Sequence, residues 1–116
     1  MMTKAPMITV VETASFLADV KERMTGEERT AAISMIAANP DCGALIPGGG
    51  GIRKVRFAIG GRGKSGGVRI IYYFQNERVP IFLLAVFAKN ERANLTRSEV
   101  NMLGAAAKML ARKYGE

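Results

Sequence analysis

The chain has no histidine and a single cysteine, Cys42, among its 116 residues. The first absence removes Ser-His triads and imidazole acid–base pairs, so any catalysis must fall to Lys, Arg, Glu or Tyr. The second removes an intramolecular disulfide, a CxxC pair and a Cys/His zinc cluster; no metal and no cofactor is expected, and the expected compartment is a reducing cytoplasm. No apolar run approaches the ~18 residues of a membrane span. Residues 1–11 lack the apolar core and small-residue cleavage site of a signal peptide, so no membrane partner is expected. A further gap is in charge of one sign: no Asp or Glu occurs between Asp41 and Glu77.

That gap holds residues 48–75, GGGGIRKVRFAIGGRGKSGGVRIIYYFQ, with Arg53, Lys54, Arg56, Arg62, Lys64 and Arg69. A solvated face normally mixes charge signs to relieve self-repulsion. A run this one-sided, in a chain of net charge +7 and pI near 10.0, points to a polyanion as the source of the missing negative charge. Nucleic acid is the leading candidate.

The rest of the chain supplies a frame for this stretch. Residues 7–11, MITVV, read as a buried strand, and Thr13 caps a first helix whose apolar stripe is Leu17, Val20 and Met24. Thr25 to Glu28 has the form of a capping box opening a second helix, with Ala32, Ile33 and Ile36 inward, ending before Pro40. Residues 41–51 read as loop; the four glycines are either a flexible spacer or a backbone that must approach something closely. Residues 52–59 form a strand with Val55 and Phe57 on one face and Lys54 and Arg56 on the other. Residues 67–75 form the next, with Arg69, Ile71 and Tyr73 on one face and Val68, Ile70, Tyr72 and Phe74 on the other. Residues 80–88, PIFLLAVFA, are apolar on both faces, as in a strand covered on both sides. A second capping box, Thr96 to Glu99, opens a last helix lined by Val100, Leu103, Ala107 and Leu110.

The order is β-α-α-β-β-β-α: one α+β domain over residues 1–116, with a mainly antiparallel four-stranded sheet and helices packed mostly on one face. The other face is expected to be shallow and cationic. Residues 58–65 fit a loosened phosphate-loop pattern, and Gly61, Gly63 and Gly66 a dinucleotide or kinase glycine pattern. Phosphate and dinucleotide loops need a helix immediately afterwards, where this chain has a strand, and the chain is too short for a kinase and lacks its other elements.

A cationic cluster without histidine or metal can cleave RNA through attack of the ribose 2′-OH on the adjacent phosphate. Arg suits stabilisation of the pentavalent transition state, having a fixed fork and a permanent charge. A lysine serves as base if neighbouring cations supply the roughly 4 kcal/mol needed to bring it from ~10.4 toward ~7–8; one cation near 4 Å at an effective dielectric of ~20 provides about that much. Lys54, beside Arg56 and Arg69, is the candidate. The same cluster serves equally as a passive binding patch.

The segments GGIRKVRFA, GRGKSGGVRIIYYF, PIFLLAVFAKNE and LTRSEVNML, spread over residues 43–105, resemble the RelE/HigB branch of the RelE/ParE toxin superfamily. The resemblance implies a toxin of a type II toxin–antitoxin system, a metal-independent endoribonuclease that cleaves mRNA in the ribosomal A site. Its implied partners are the 70S ribosome, mRNA and a cognate antitoxin, often one with a helix-turn-helix DNA-binding domain. Carried over by position, the catalytic set is Lys54, Arg56, Arg69 and Lys89. The Tyr that such enzymes place a few residues past the last strand falls at Leu95, so Tyr73 is the expected substitute from the sheet, with Lys89 and Arg92 the other candidates for its role. Arg53, Arg62, Lys64 and Arg92 are the expected RNA and ribosome contacts. A ParE-like gyrase inhibitor and a non-catalytic RNA-binding module are the alternatives.

Overall fold

In a computed structural model of the chain, residues 8–59, 67–92 and 94–115 are described. The elements run β1 (Val10–Glu12), α1 (Ala14–Val20), α2 (Gly26–Ala38), a short 3-10 turn (Pro40–Cys42), β2 (Ala44–Leu45), β3 (Ile52–Phe57), β4 (Val68–Tyr73), β5 (Ile81–Ala88) and α3 (Arg97–Gly115). The five strands form one sheet in the order β1-β5-β4-β3-β2. β2 to β5 pair antiparallel, and β1 joins β5 in parallel.

Alternation along β4 divides the molecule into two cores. Val68, Ile70 and Tyr72 meet Phe16 and Val20 of α1 and Ala32 and Ile36 of α2. Ile71 and Tyr73 face the other way, meeting Val100, Ala107 and Ala111 of α3. Two of the three helices thus share one face as expected, but α3 covers part of the face that was expected to be open and cationic. The physical reason lies in β5, whose residues are almost all buried: Phe82, Leu84 and Phe87 need an apolar cover on the second side as much as Ile81, Leu83 and Val86 do on the first.

Both capping boxes form: Thr25 Oγ1 accepts from Glu28 N at 3.1 Å, and Thr96 Oγ1 from Glu99 N at 3.1 Å. The stripe expected on α1 is shifted. Phe16 and Val20 are buried while Leu17 is 39% exposed, because the Thr13 cap, donating to Leu83 O at 2.8 Å, sets the phase of a seven-residue helix. β2 is a fifth strand inside what read as loop. It closes a hairpin onto β3, with Ile46 N donating to Ile52 O at 3.0 Å.

The glycine run between those strands is a place of close approach. A Cβ on Gly104 of α3 would lie 2.5 Å from the Gly49 carbonyl oxygen, and one on Gly51 (φ +116°) would lie 2.8 Å from the Tyr73 ring. The helix therefore rests on bare backbone there. On the opposite face, buried Tyr72 pins the 3-10 turn, its hydroxyl donating to Pro40 O at 2.6 Å and accepting from Gly43 N at 2.8 Å.

Candidate nucleic-acid interface

Three cations share the α3 face of the sheet because β3 and β4 pair in a fixed register. Lys54 lies opposite Ile71, and Arg56 lies directly opposite Arg69, which pairs in turn with Phe87 of β5. α3 begins level with Lys54 and runs toward Tyr73 and Phe82, so the Arg56–Arg69 end is beyond its N-terminus. Arg56 is exposed and Arg69 half-buried. Like charges directly opposite one another destabilise a strand pair. Arg69 Nη1, moreover, is buried without a hydrogen-bond partner among the described residues. A buried donor left unmet costs about 1–3 kcal/mol, and more when charged. A bound anion would relieve both strains at once.

Lys54 is aimed by a relay of polar contacts. Its Nζ donates to Asn94 Oδ1 at 2.7 Å. The Asn94 carbonyl accepts from Arg92 Nε and Nη2 at 3.2 and 3.1 Å, and Arg92 is clamped onto Glu99, with Nη1 2.8 Å from Oε2. The Arg92 hydrogen bond, with help from the Thr96 N–H, brings the Glu99 carboxyl down to about 2. Arg92 also lies 5.4 Å from the Phe87 ring centroid, in a cation–π contact. Ile46, Pro47 and Leu95 wall a cleft of about 340 Å³ beside Lys54 and Asn94.

Lys89 is exposed in the turn that leaves β5 at the same end of the sheet, its backbone N–H on Gly67 O at 3.1 Å. Glu91 holds that turn. Its Oε1 accepts from Ala88 N at 2.6 Å and Arg23 Nε at 2.8 Å, and its Oε2 from Arg23 Nη2 at 2.8 Å. The Arg23 bond first, then the Ala88 N–H, brings the Glu91 carboxyl down to about 2.

Lys54, Arg56 and Arg69 thus share one face, and Lys89 stands in the turn at the Arg69 end of the sheet. Other expected residues do not join them. Arg53 points to the opposite face, as alternation requires, where Nη1 donates to Gly43 O at 2.7 Å and Nη2 lies 3.5 Å from Asp41 Oδ1. Tyr73 shares the face with Arg69 but sits four residues, about 13 Å, along the strand. It is 4% exposed beneath α3, 6.3 Å from Phe82 between ring centroids, with its hydroxyl on Gln75 Oε1 at 2.9 Å. Arg92 has its guanidinium committed to Glu99, and Leu95 packs into the α3-side core. Arg62 and Lys64 lie outside the described residues. Asn94, Glu91 and the Arg92–Glu99 pair were missed in the sequence; Glu99 was visible as a capping residue, but nothing in the spacing marked its second partner.

A five-stranded sheet with helices on both faces, carrying Lys54, Arg56, Arg69 and Lys89 toward one end, defines a small α+β protein. A family model described as the RelE toxin of the RelE/RelB toxin–antitoxin system matches residues 10–116, and the chain belongs to that RelE toxin family. A solved structure of a mutant E. coli toxin RelE in the free state has the same fold. Its TM-score is 0.57 at 16% identity, over 87% of this chain and 97% of that one. Among the described residues no helix is long and apolar enough to cross a membrane.

Proposed function

We propose that this toxin is a ribosome-dependent mRNA interferase. The observation that carries the reading is the opposed pair Arg56 and Arg69, with Arg69 Nη1 buried and unmet among the described residues. The ribose 2′-oxygen attacks the adjacent phosphorus, the bond from phosphorus to the 5′-oxygen breaks, and the products are a 2′,3′-cyclic phosphate and a 5′-hydroxyl. One proton leaves the 2′-oxygen and one reaches the departing 5′-oxygen. Arg56 and Arg69 meet the charge that builds on the phosphoryl oxygens. In this reading Lys54 and Lys89 serve the two proton transfers. No pocket among the described residues encloses these four cations together, so in this reading the orientation on which such chemistry depends is supplied by the ribosome, which holds the message in its A site in the cytoplasm. The neutralising partner is an antitoxin, of the kind that carries a helix-turn-helix domain.

The test is induction of the toxin without its antitoxin, with translation and DNA replication followed separately. The reading requires translation to stop first, with message cut inside open reading frames. Replication failing first, with message intact, would place the protein among gyrase inhibitors instead.

A further inference from the structure

The C-terminal half of α3 forms a second cationic feature, at the end of the sheet away from Arg69. A pocket of about 490 Å³ opens between the glycine run, the end of β4 and the helix, and Lys108 and Arg112 line it together. These two cations are four residues apart on one helix, a spacing that places like charges side by side at a small cost in helix stability. Among the described residues neither makes an ion pair and no acidic side chain lines the pocket. Favourable placement of Arg112 in the last helical turn accounts for one cation. It does not account for Lys108, whose Nζ comes within 3.3 Å of where a Gly50 Cβ would stand.

The lining also holds backbone and side-chain donors. Gly50 and Gly51 have positive φ angles, +69° and +116°, and their N–H groups have no hydrogen-bond partner among the described residues. The Gln75 carbonyl oxygen accepts from the Tyr73 hydroxyl at 2.9 Å, and no partner is seen for its amide hydrogens among the described residues. Lys108, Arg112, Gly50, Gly51 and Gln75 therefore bring an ammonium, a guanidinium, backbone N–H groups and a carboxamide NH₂ to the lining of one cavity, with no carboxylate among its described residues. Successive backbone N–H groups in such a turn make a concavity suited to an anion.

We propose that this pocket binds a phosphate group, a second anion site separate from the Arg56–Arg69 end and independent of whether the protein cleaves RNA. The chemistry is shared by two sources, a backbone phosphodiester of single-stranded RNA and a free nucleotide. The Arg112 fork grips two phosphate oxygens, Lys108 neutralises charge, and the glycine N–H groups bind a third oxygen.

The experiment is amide NMR of the full chain, titrated in turn with inorganic phosphate, a nucleoside 5′-monophosphate and a short single-stranded RNA. The expected result is saturable movement of the Gly50 and Gly51 resonances. The double variant Lys108→Gln with Arg112→Gln should lose at least tenfold in affinity, and Lys108→Arg should retain it. Both side chains are exposed, so the double variant should melt as the parent does. The salt dependence of RNA binding should flatten by about 1.4 log–log units, two contacts at ~0.7 each. Tighter binding of RNA than of nucleotide identifies the backbone as the source, and the reverse identifies a free nucleotide. Glycine amides that move with none of the three probes, or that move equally in the double variant, would overturn the proposal.

Discussion

Replacing Arg69 with alanine separates a catalytic from a structural role for the cationic end of the sheet. Arg69 is half-buried, stands opposite Arg56, and keeps Nη1 without a partner among the described residues. Removing it therefore breaks no hydrogen bond from that nitrogen, ends the like-charge opposition to Arg56 and removes a buried donor whose unmet state costs about 1–3 kcal/mol. Against this stands the lost packing of its stem on the sheet, of similar size. The net change should stay within about 1 kcal/mol, which is a melting shift of no more than ~5 °C for a domain of this size. Cleavage should respond on another scale. A preorganised donor that meets charge only in the transition state is worth ~10²–10³ in rate, or about 2.7–4 kcal/mol. The assay is single-turnover cleavage of ribosome-bound message, with co-sedimentation and thermal melting of the same variant. Cleavage should fall at least a hundredfold while binding falls by far less, since Lys54, Arg56 and Lys89 still hold the phosphate backbone. Equal loss of cleavage and binding, or a collapse of the melting temperature, would refute the reasoning.

Gly104→Ala should destabilise the fold by about 1–3 kcal/mol through overpacking, because its Cβ would meet the Gly49 carbonyl at 2.5 Å; denaturant unfolding measures this, and an unchanged midpoint would mean that the helix is free to shift. Ile36→Ala, which opens a cavity in the fully buried core between α2 and the sheet, should cost about 2–5 kcal/mol in the same assay. The Glu91 and Glu99 carboxyls, both brought from 4.5 to about 2 by their arginines, are charged in the folded chain at pH values where they begin to protonate in the unfolded one. Their stabilisation is complete above about pH 4.5 and is lost as the pH falls toward 2. Melting temperature followed from pH 6 to pH 2 should drop across that window, and Glu91→Gln should make the drop shallower; parallel curves for the two proteins would show that the Arg23–Glu91 pair carries no such linkage.

Much of this could be read from residue order alone. β-Strand alternation put Lys54, Arg56 and Arg69 on one face and Tyr72 and Phe74 on the other, since a period of two leaves no freedom once the strand is in place. The capping boxes at Thr25 and Thr96 marked two helix starts because their hydrogen bonds are local. What escaped was set by contacts distant in sequence. α3 covers the second sheet face because β5 is apolar on both sides, and this buries Tyr73 away from the cations. Arg53 looked like part of the cationic run but is drawn to Asp41 and Gly43 behind the sheet. Asn94 and Glu91, which aim Lys54 and brace the Lys89 turn, act on partners 40 and 68 residues away. The four glycines were ambiguous until Gly104 and Tyr73 supplied the surfaces that press against them.

Ribosome dependence is tested by incubating the purified toxin with one mRNA in the presence and absence of 70S ribosomes stalled with an open A site, at equal enzyme concentrations. The toxin should cut at the A-site codon, leaving a 2′,3′-cyclic phosphate on the upstream fragment, and should cut the free transcript little. Comparable cutting of the free transcript, or no cutting on the ribosome by a protein that still arrests growth, would contradict the proposed function.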